Sequence, residues 1–177
     1  MHGLKRTIRY GMVLFAVAVI AISQGCAHGR GPWPSDQERS PKAANRKIPP
    51  NQPAICPVET KNMYVTSTFG AKRKGRFHKG IDFVTAAGTP VRATATGKVA
   101  FAGRDGNYGN VMVVDHENGM STYYAHLDKE FAKEGQSVKR GEIIGAVGST
   151  GNASTPHVHY EVRKNGQPVN PRDYLPS

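Results

Sequence analysis

Pro156-His157-Val158-His159-Tyr160-Glu161-Val162, followed by the turn pair Asn165-Gly166 and the short apolar step Pro168-Val169, decides how this chain is read. Alternation with a period of two puts His157 and His159 on one face of a strand and Val158 and Tyr160 on the other. Asn-Gly accommodates the positive φ angles of a two-residue hairpin. A buried face, a face of imidazoles and a tight return together describe an antiparallel sheet with chemistry on one side.

The same texture extends outward from this stretch. Candidate strands are Tyr64–Phe69, Gly80–Val84, Val91–Ala93, Lys98–Gly103, Val111–Asp115, Ser121–His126, Ile143–Val147, His157–Arg163 and Pro168–Val169, and Asn118-Gly119 marks a second hairpin. Only Asp128–Glu134 reads as a short helical turn. The predicted domain, 62–177, is all-β: an antiparallel β-sandwich or partly open barrel. The corners around Ala95–Val99 and Val138–Gly145 resemble those of lipoyl and biotinyl carrier domains, a duplicated hybrid motif. A carrier reading leaves the histidines without a role.

The first 61 residues read differently. Lys5, Arg6 and Arg9 precede an apolar run from Met12 to Ile22, too short for a membrane span of roughly 20 residues. Residues 1–25 therefore read as a signal peptide, and the chain as exported to a bacterial cell envelope. Gly25-Cys26 resembles a lipoprotein processing site, which would attach lipid to Cys26 and anchor the protein to a membrane; Ala27 suits an outer membrane. Ordinary cleavage and release is the alternative. Residues 26–61, rich in Pro, charged and amide residues, read as a flexible tether. With 2 cysteines in the chain, no disulfide framework is expected. The net charge of +11 suits attraction to anionic envelope polymers. No nucleic-acid-binding motif accompanies it, so nucleic acid is not an expected partner.

His78 and Asp82, in Arg76-Phe77-His78-Lys79-Gly80-Ile81-Asp82-Phe83, share a face if that segment is extended, with Gly80 leaving room between them. Two His and one carboxylate form a familiar set for catalytic zinc, with the fourth tetrahedral place left to water. His126 ends Ser121-Thr122-Tyr123-Tyr124-Ala125-His126, where alternation puts Thr122, Tyr124 and His126 on one face. His116, in a hairpin turn, reads as structural. Lys72, Arg73, Lys74, Arg76 and Lys79 form a basic cluster: either a solvated loop or a rim that attracts acidic groups.

Residues from about Tyr64 to Tyr174 resemble the lysostaphin-like, or LytM-type, family of peptidoglycan endopeptidases. The carrying pieces are Phe77-His78-Lys79-Gly80-Ile81-Asp82-Phe83, Tyr124-Ala125-His126-Leu127, Gly145-Ala146-Val147-Gly148-Ser149-Thr150-Gly151 and Pro156–Val162. The resemblance implies one Zn2+ per chain on His78, Asp82 and His159. It implies His126 and His157 as the catalytic pair, one moving a proton and the other stabilising an oxyanion, without assigning which. The implied reaction is metal-assisted hydrolysis of amide bonds in stem or cross-linking peptides of the cell wall. Some relatives of this kind lack these residues and activate other wall hydrolases; this sequence has all five.

Overall fold

A computed structural model describes residues 48–58 and 63–176. The signal-peptide and lipidation readings, and most of the tether, fall outside these residues. The strands among the described residues are β1 (Tyr64–Ser67), β2 (Lys72–Arg73), β3 (Arg76–Phe77), β4 (Ile81–Val84), β5 (Pro90–Arg92), β6 (Gly97–Asp105), β7 (Gly109–Asp115), β8 (Met120–Glu130), β9 (Ser137–Val138), β10 (Ile143–Val147), β11 (His157–Lys164) and β12 (Gln167–Val169). The helical elements among the described residues are two 3₁₀ turns, Gly106–Tyr108 and Pro171–Asp173. The all-β antiparallel class is the one predicted. The predicted helical turn at 128–134 is not formed: residues 128–130 continue β8, held by pairing with β10.

The main sheet runs β1-β4-β11-β8-β7-β6-β9, with β12 beside β11 and β5 beside β10. β8 organises it. One edge of β8 pairs with β7. The other edge pairs with β11 from Met120 to Ala125, then with β10 from Leu127 to Glu130. The partner changes at His126, the sole strand residue other than glycine with positive φ among the described residues (+63°). The two corners likened to carrier domains pair with each other, Gly97 opposite Val138.

Alternation explains the core. Ile81 and Phe83 of β4, Val158, Tyr160 and Val162 of β11, Tyr124 of β8, and Met112 and Val114 of β7 are fully buried. Each such side chain contributes about 1.5–3 kcal/mol relative to exposure. The two buried phenols are hydrogen-bonded, as burial requires: Tyr124 Oη accepts from Thr94 N at 2.8 Å, and Tyr160 Oη lies 2.9 Å from Thr94 Oγ1. Gly80 is needed where β4 enters the sheet, since a Cβ there would stand 2.2 Å from the Tyr160 carbonyl oxygen.

Residues 48–58 differ from the tether reading. Val58 bridges to Val91, Ala54 N donates to Thr94 O at 3.1 Å, and Arg92 N donates to Pro57 O at 2.8 Å. Pro53, Cys56, Pro57 and Val58 are buried. Proline confines this segment to an extended path, and that path pairs with β5 instead of remaining in solvent. Cys56 is disulfide-bonded, which corrects the expectation that no disulfide contributes; a chain routed through an oxidising compartment permits the bond.

Candidate metal centre

Cross-strand register brings the first ligand candidates together. Asp82 of β4 stands directly opposite His159 of β11, and opposed residues project from the same face. His78 precedes β4, its backbone N–H bonded to Ala71 O at 2.9 Å. Three atoms converge: His78 Nε2 lies 3.1 Å from Asp82 Oδ1 and 3.0 Å from His159 Nδ1, and the last two are 2.7 Å apart. All three residues are buried.

The donor chemistry of this triangle fits a divalent cation. Bonds of about 2.0–2.1 Å in a tetrahedral site hold ligand atoms roughly 3.3 Å apart, a few tenths wider than the observed triangle. The outer nitrogens are engaged elsewhere: His78 Nδ1 donates to Thr68 O at 2.9 Å, with Ser67 Oγ at 3.0 Å, and His159 Nε2 donates to Glu161 Oε1 at 2.9 Å. Those bonds fix the tautomers that direct the remaining nitrogens at the centre. Arg73 donates to Asp82 Oδ2 at 2.6 Å and leaves Oδ1 facing the histidines.

Burial alone would push the Asp82 carboxyl up, but hydrogen bonds and charge from His159 and His78 outweigh it and hold Asp82 far below the carboxylate range. Burial also opposes charge on His159, yet its bonds to Asp82 and Glu161 raise its pKa. Glu161, buried, is held below its usual range: burial would raise it, and the bonds from His159 and Tyr108 lower it. Tyr108 Oη donates to Glu161 Oε1 at 2.7 Å, and Arg163 meets Oε2 at 2.7 Å while lying 3.8 Å over the Tyr123 ring.

Two further imidazoles flank the triangle. His126 and His157 have ring centroids 4.6 Å apart, and His126 is 6.0 Å from the ring of His159. Each donates Nδ1–H to a backbone carbonyl at 2.8 Å, His126 to Thr150 and His157 to Thr155, leaving Nε2 for chemistry. Burial lowers the His126 pKa to about 4, assisted by the charge of His157 and opposed by the Thr150 carbonyl. A groove lined by Arg76, Phe77, Lys79, Asn107, Tyr108 and Asn152 opens over these groups.

All five residues singled out in the sequence meet here. One face assignment is corrected. Tyr124 points into the core against Tyr160, with ring centroids 5.5 Å apart, whereas His126 points to the groove. The left-handed backbone at His126 breaks the alternation and turns the imidazole to the face of His159. Arg73 is committed to Asp82 and does not belong to a merely solvated loop. His116 lies apart, buried between Thr96 O and Thr122 Oγ1. Sequence reasoning missed Glu161, although the period of two that aligned His157 with His159 aligns it as well. It also missed Tyr108 and Thr150, which the local pattern does not mark.

Residues 76–171 match the profile of Peptidase family M23, and the chain belongs to that family. A DD-carboxypeptidase/endopeptidase, Mpg, from Neisseria meningitidis is 55% identical over 96 residues, covering 54% of this chain and 22% of that protein. The murein hydrolase activator NlpD of Escherichia coli is 42% identical over 113 residues, covering 63% of this chain and 29% of that protein. The chain thus spans less than a third of the length of these curated relatives. Among solved structures, a zinc-containing peptidase from Vibrio cholerae is similar with a TM-score of 0.61 and 41% identity, over 65% of this chain and 37% of that one. The catalytic domain of lysostaphin, an antimicrobial peptidase from Staphylococcus simulans, gives a TM-score of 0.60 and 32% identity, over 64% and 92%.

Proposed function

We propose that this chain is a zinc-dependent endopeptidase that hydrolyses amide bonds in the stem or cross-linking peptides of bacterial peptidoglycan, in the cell envelope. The observation that carries the reading is the triangle of His78 Nε2, Asp82 Oδ1 and His159 Nδ1, flanked by two imidazoles whose Nδ1 atoms are already engaged. Two nitrogens and one carboxylate oxygen match the ligand preference of catalytic zinc. The name of the Neisseria relative, a DD-carboxypeptidase/endopeptidase, supports peptide-bond hydrolysis, that of the Vibrio zinc-containing peptidase supports the metal, and that of NlpD, a murein hydrolase activator, supports the cell wall as the place of action.

When bound, the cation polarises an amide carbonyl and makes water a nucleophile at neutral pH. The protein's residues supply the rest. His78, Asp82 and His159 hold the cation. His126 and His157 present Nε2 beside it, one to take the proton of the attacking water and pass it to the leaving amine, the other to hydrogen-bond the developing oxyanion. Phe77 and Tyr108 shape the groove walls. Arg76 and Lys79 at the rim attract acidic groups of the wall. Lipid anchoring at Cys26 belongs to this reading only if Cys26 is not the partner of Cys56, since one sulfur cannot serve both.

The similarity to NlpD favours a second reading, a wall-binding activator of another hydrolase. Purified peptidoglycan treated with the protein separates the two. We expect release of new amine groups, abolished by EDTA and by His157→Ala. A zinc-loaded protein that releases none, yet stimulates a second wall hydrolase, would establish the activator reading instead.

A further inference from the structure

The bulge at His126 opens a gap in the sheet, and a single side chain closes it. Asn110 of β7 stands opposite Leu127 of β8, and the register slips immediately beyond them, between Asn110 and Met112. The Thr150 hydroxyl is inserted between the two strands. It accepts from Asn110 N at 2.9 Å and donates to Leu127 O at 2.9 Å. Both backbone groups are thereby satisfied where the ladder is interrupted.

The same residue sets the imidazole. The Thr150 carbonyl accepts the Nδ1–H of His126 at 2.8 Å. A carbonyl can only accept, so the proton resides on Nδ1 and Nε2 carries the lone pair. The approach of this loop to the sheet is close. A Cβ on Gly109 would stand 2.4 Å from the Thr150 carbonyl carbon, and one on Gly151 would stand 2.4 Å from Gly109 N. Asn152 N donates to Asn107 O at 2.9 Å further along. The segment also supplies the Thr155 carbonyl that engages His157 Nδ1. One loop therefore provides the accepting carbonyls for both flanking histidines, and Thr150 fastens it to the strand that carries the first.

We infer that Thr150 is a positioning residue: its hydroxyl locks the 148–155 loop onto the bulge, and its carbonyl thereby holds His126 in the Nδ1–H tautomer that turns Nε2 to the reacting groups. The inference rests on the proposed peptidase function for its kinetic consequence, but not for its structural one. Thr150→Val keeps the shape and removes both hydroxyl bonds; Thr150→Ser keeps the bonds.

Three readouts decide it. Long-range ¹H–¹⁵N spectra of the metal-loaded protein report the His126 tautomer without reference to activity. We expect Nδ1–H in the wild type and in Thr150→Ser, and a mixed or inverted tautomer in Thr150→Val. Zinc content stays at the wild-type level in all three. With peptidoglycan, kcat of Thr150→Val falls about 10-fold or more, a part of the 10²–10⁴ that a placed acid–base group supplies, while KM changes little and Thr150→Ser restores the rate. Thr122→Val, which removes a buried hydroxyl bonded to His116 and Tyr124, controls for stability: it lowers Tm and leaves kcat unchanged. A wild-type tautomer in Thr150→Val overturns the inference, as does a kcat loss equal to that of Thr122→Val. If the wild type hydrolyses nothing, the peptidase reading fails and the tautomer still decides the role of Thr150.

Discussion

His159 Nε2 donates to Glu161 Oε1 at 2.9 Å, so the imidazole that offers Nδ1 to the centre is gripped from behind by a buried carboxylate of its own strand. The carboxylate is itself held by Tyr108 and Arg163. Partners of this kind orient a ligand and raise its basicity, and their loss costs 10–100-fold in affinity. Glu161→Gln should weaken zinc binding by roughly that factor, while far-UV circular dichroism is preserved. A competition titration against a chelating indicator measures it; wild-type affinity would remove Glu161 from the metal's support.

Gly80→Ala tests the entry of β4. The added methyl meets the Tyr160 carbonyl oxygen at 2.2 Å, so β4 must move away from β11, and Asp82 moves with it relative to His159. We expect lowered Tm and loss of most zinc binding. A variant that binds zinc normally would show that the register of β4 and β11 does not set the site.

Residues 48–58 should behave as part of the folded unit. A chain beginning at residue 63 leaves the partners of Val58 and Ala54 on Val91 and Thr94 uncovered, and should melt at lower temperature than one beginning at residue 48. Val58→Ala, at a position 1% exposed, should cost about 1–3 kcal/mol in urea unfolding. Equal stability of the two chain lengths would return this segment to the linker.

His116 should make stability fall in acid. Burial lowers its pKa below 6.5, against weaker opposing effects from the Thr96 carbonyl and Asp115. The unfolded chain therefore binds the proton first. Stability is lost as pH falls through about 6.5, and the loss ends below the folded-state pKa. His126 acts in the same direction, so the comparison must be with His116→Gln, which should show a shallower decline between pH 7.5 and 5 in urea midpoints. An unchanged slope would mean that His116 is not held neutral.

Much of the fold was legible because a period of two survives in β4, in β11 and in β8 as far as Ala125, and because Asn-Gly pairs mark the hairpins at 118–119 and 165–166. The convergence of the candidate residues was legible because His157 and His159 share a strand face and because His78 and Asp82 sit four residues apart in extended chain. What escaped was set by pairing across distant strands. Nothing local says that Asp82 will stand opposite His159, or that a threonine 24 residues beyond His126 will meet it. The docking of 48–58 escaped for a different reason: proline content signals an extended path, and an extended path serves a linker and a sheet edge equally well.

The left-handed backbone at position 126 has a bearing on how that position can be altered. Alanine there removes the imidazole and also disfavours the turn of the main chain, so a dead His126→Ala protein would speak to two causes at once. Asparagine, which tolerates positive φ more readily than alanine, isolates the loss of the ring. Side chains at this position are thus screened twice, once for their chemistry and once for the shape they impose on the peptide that bears them.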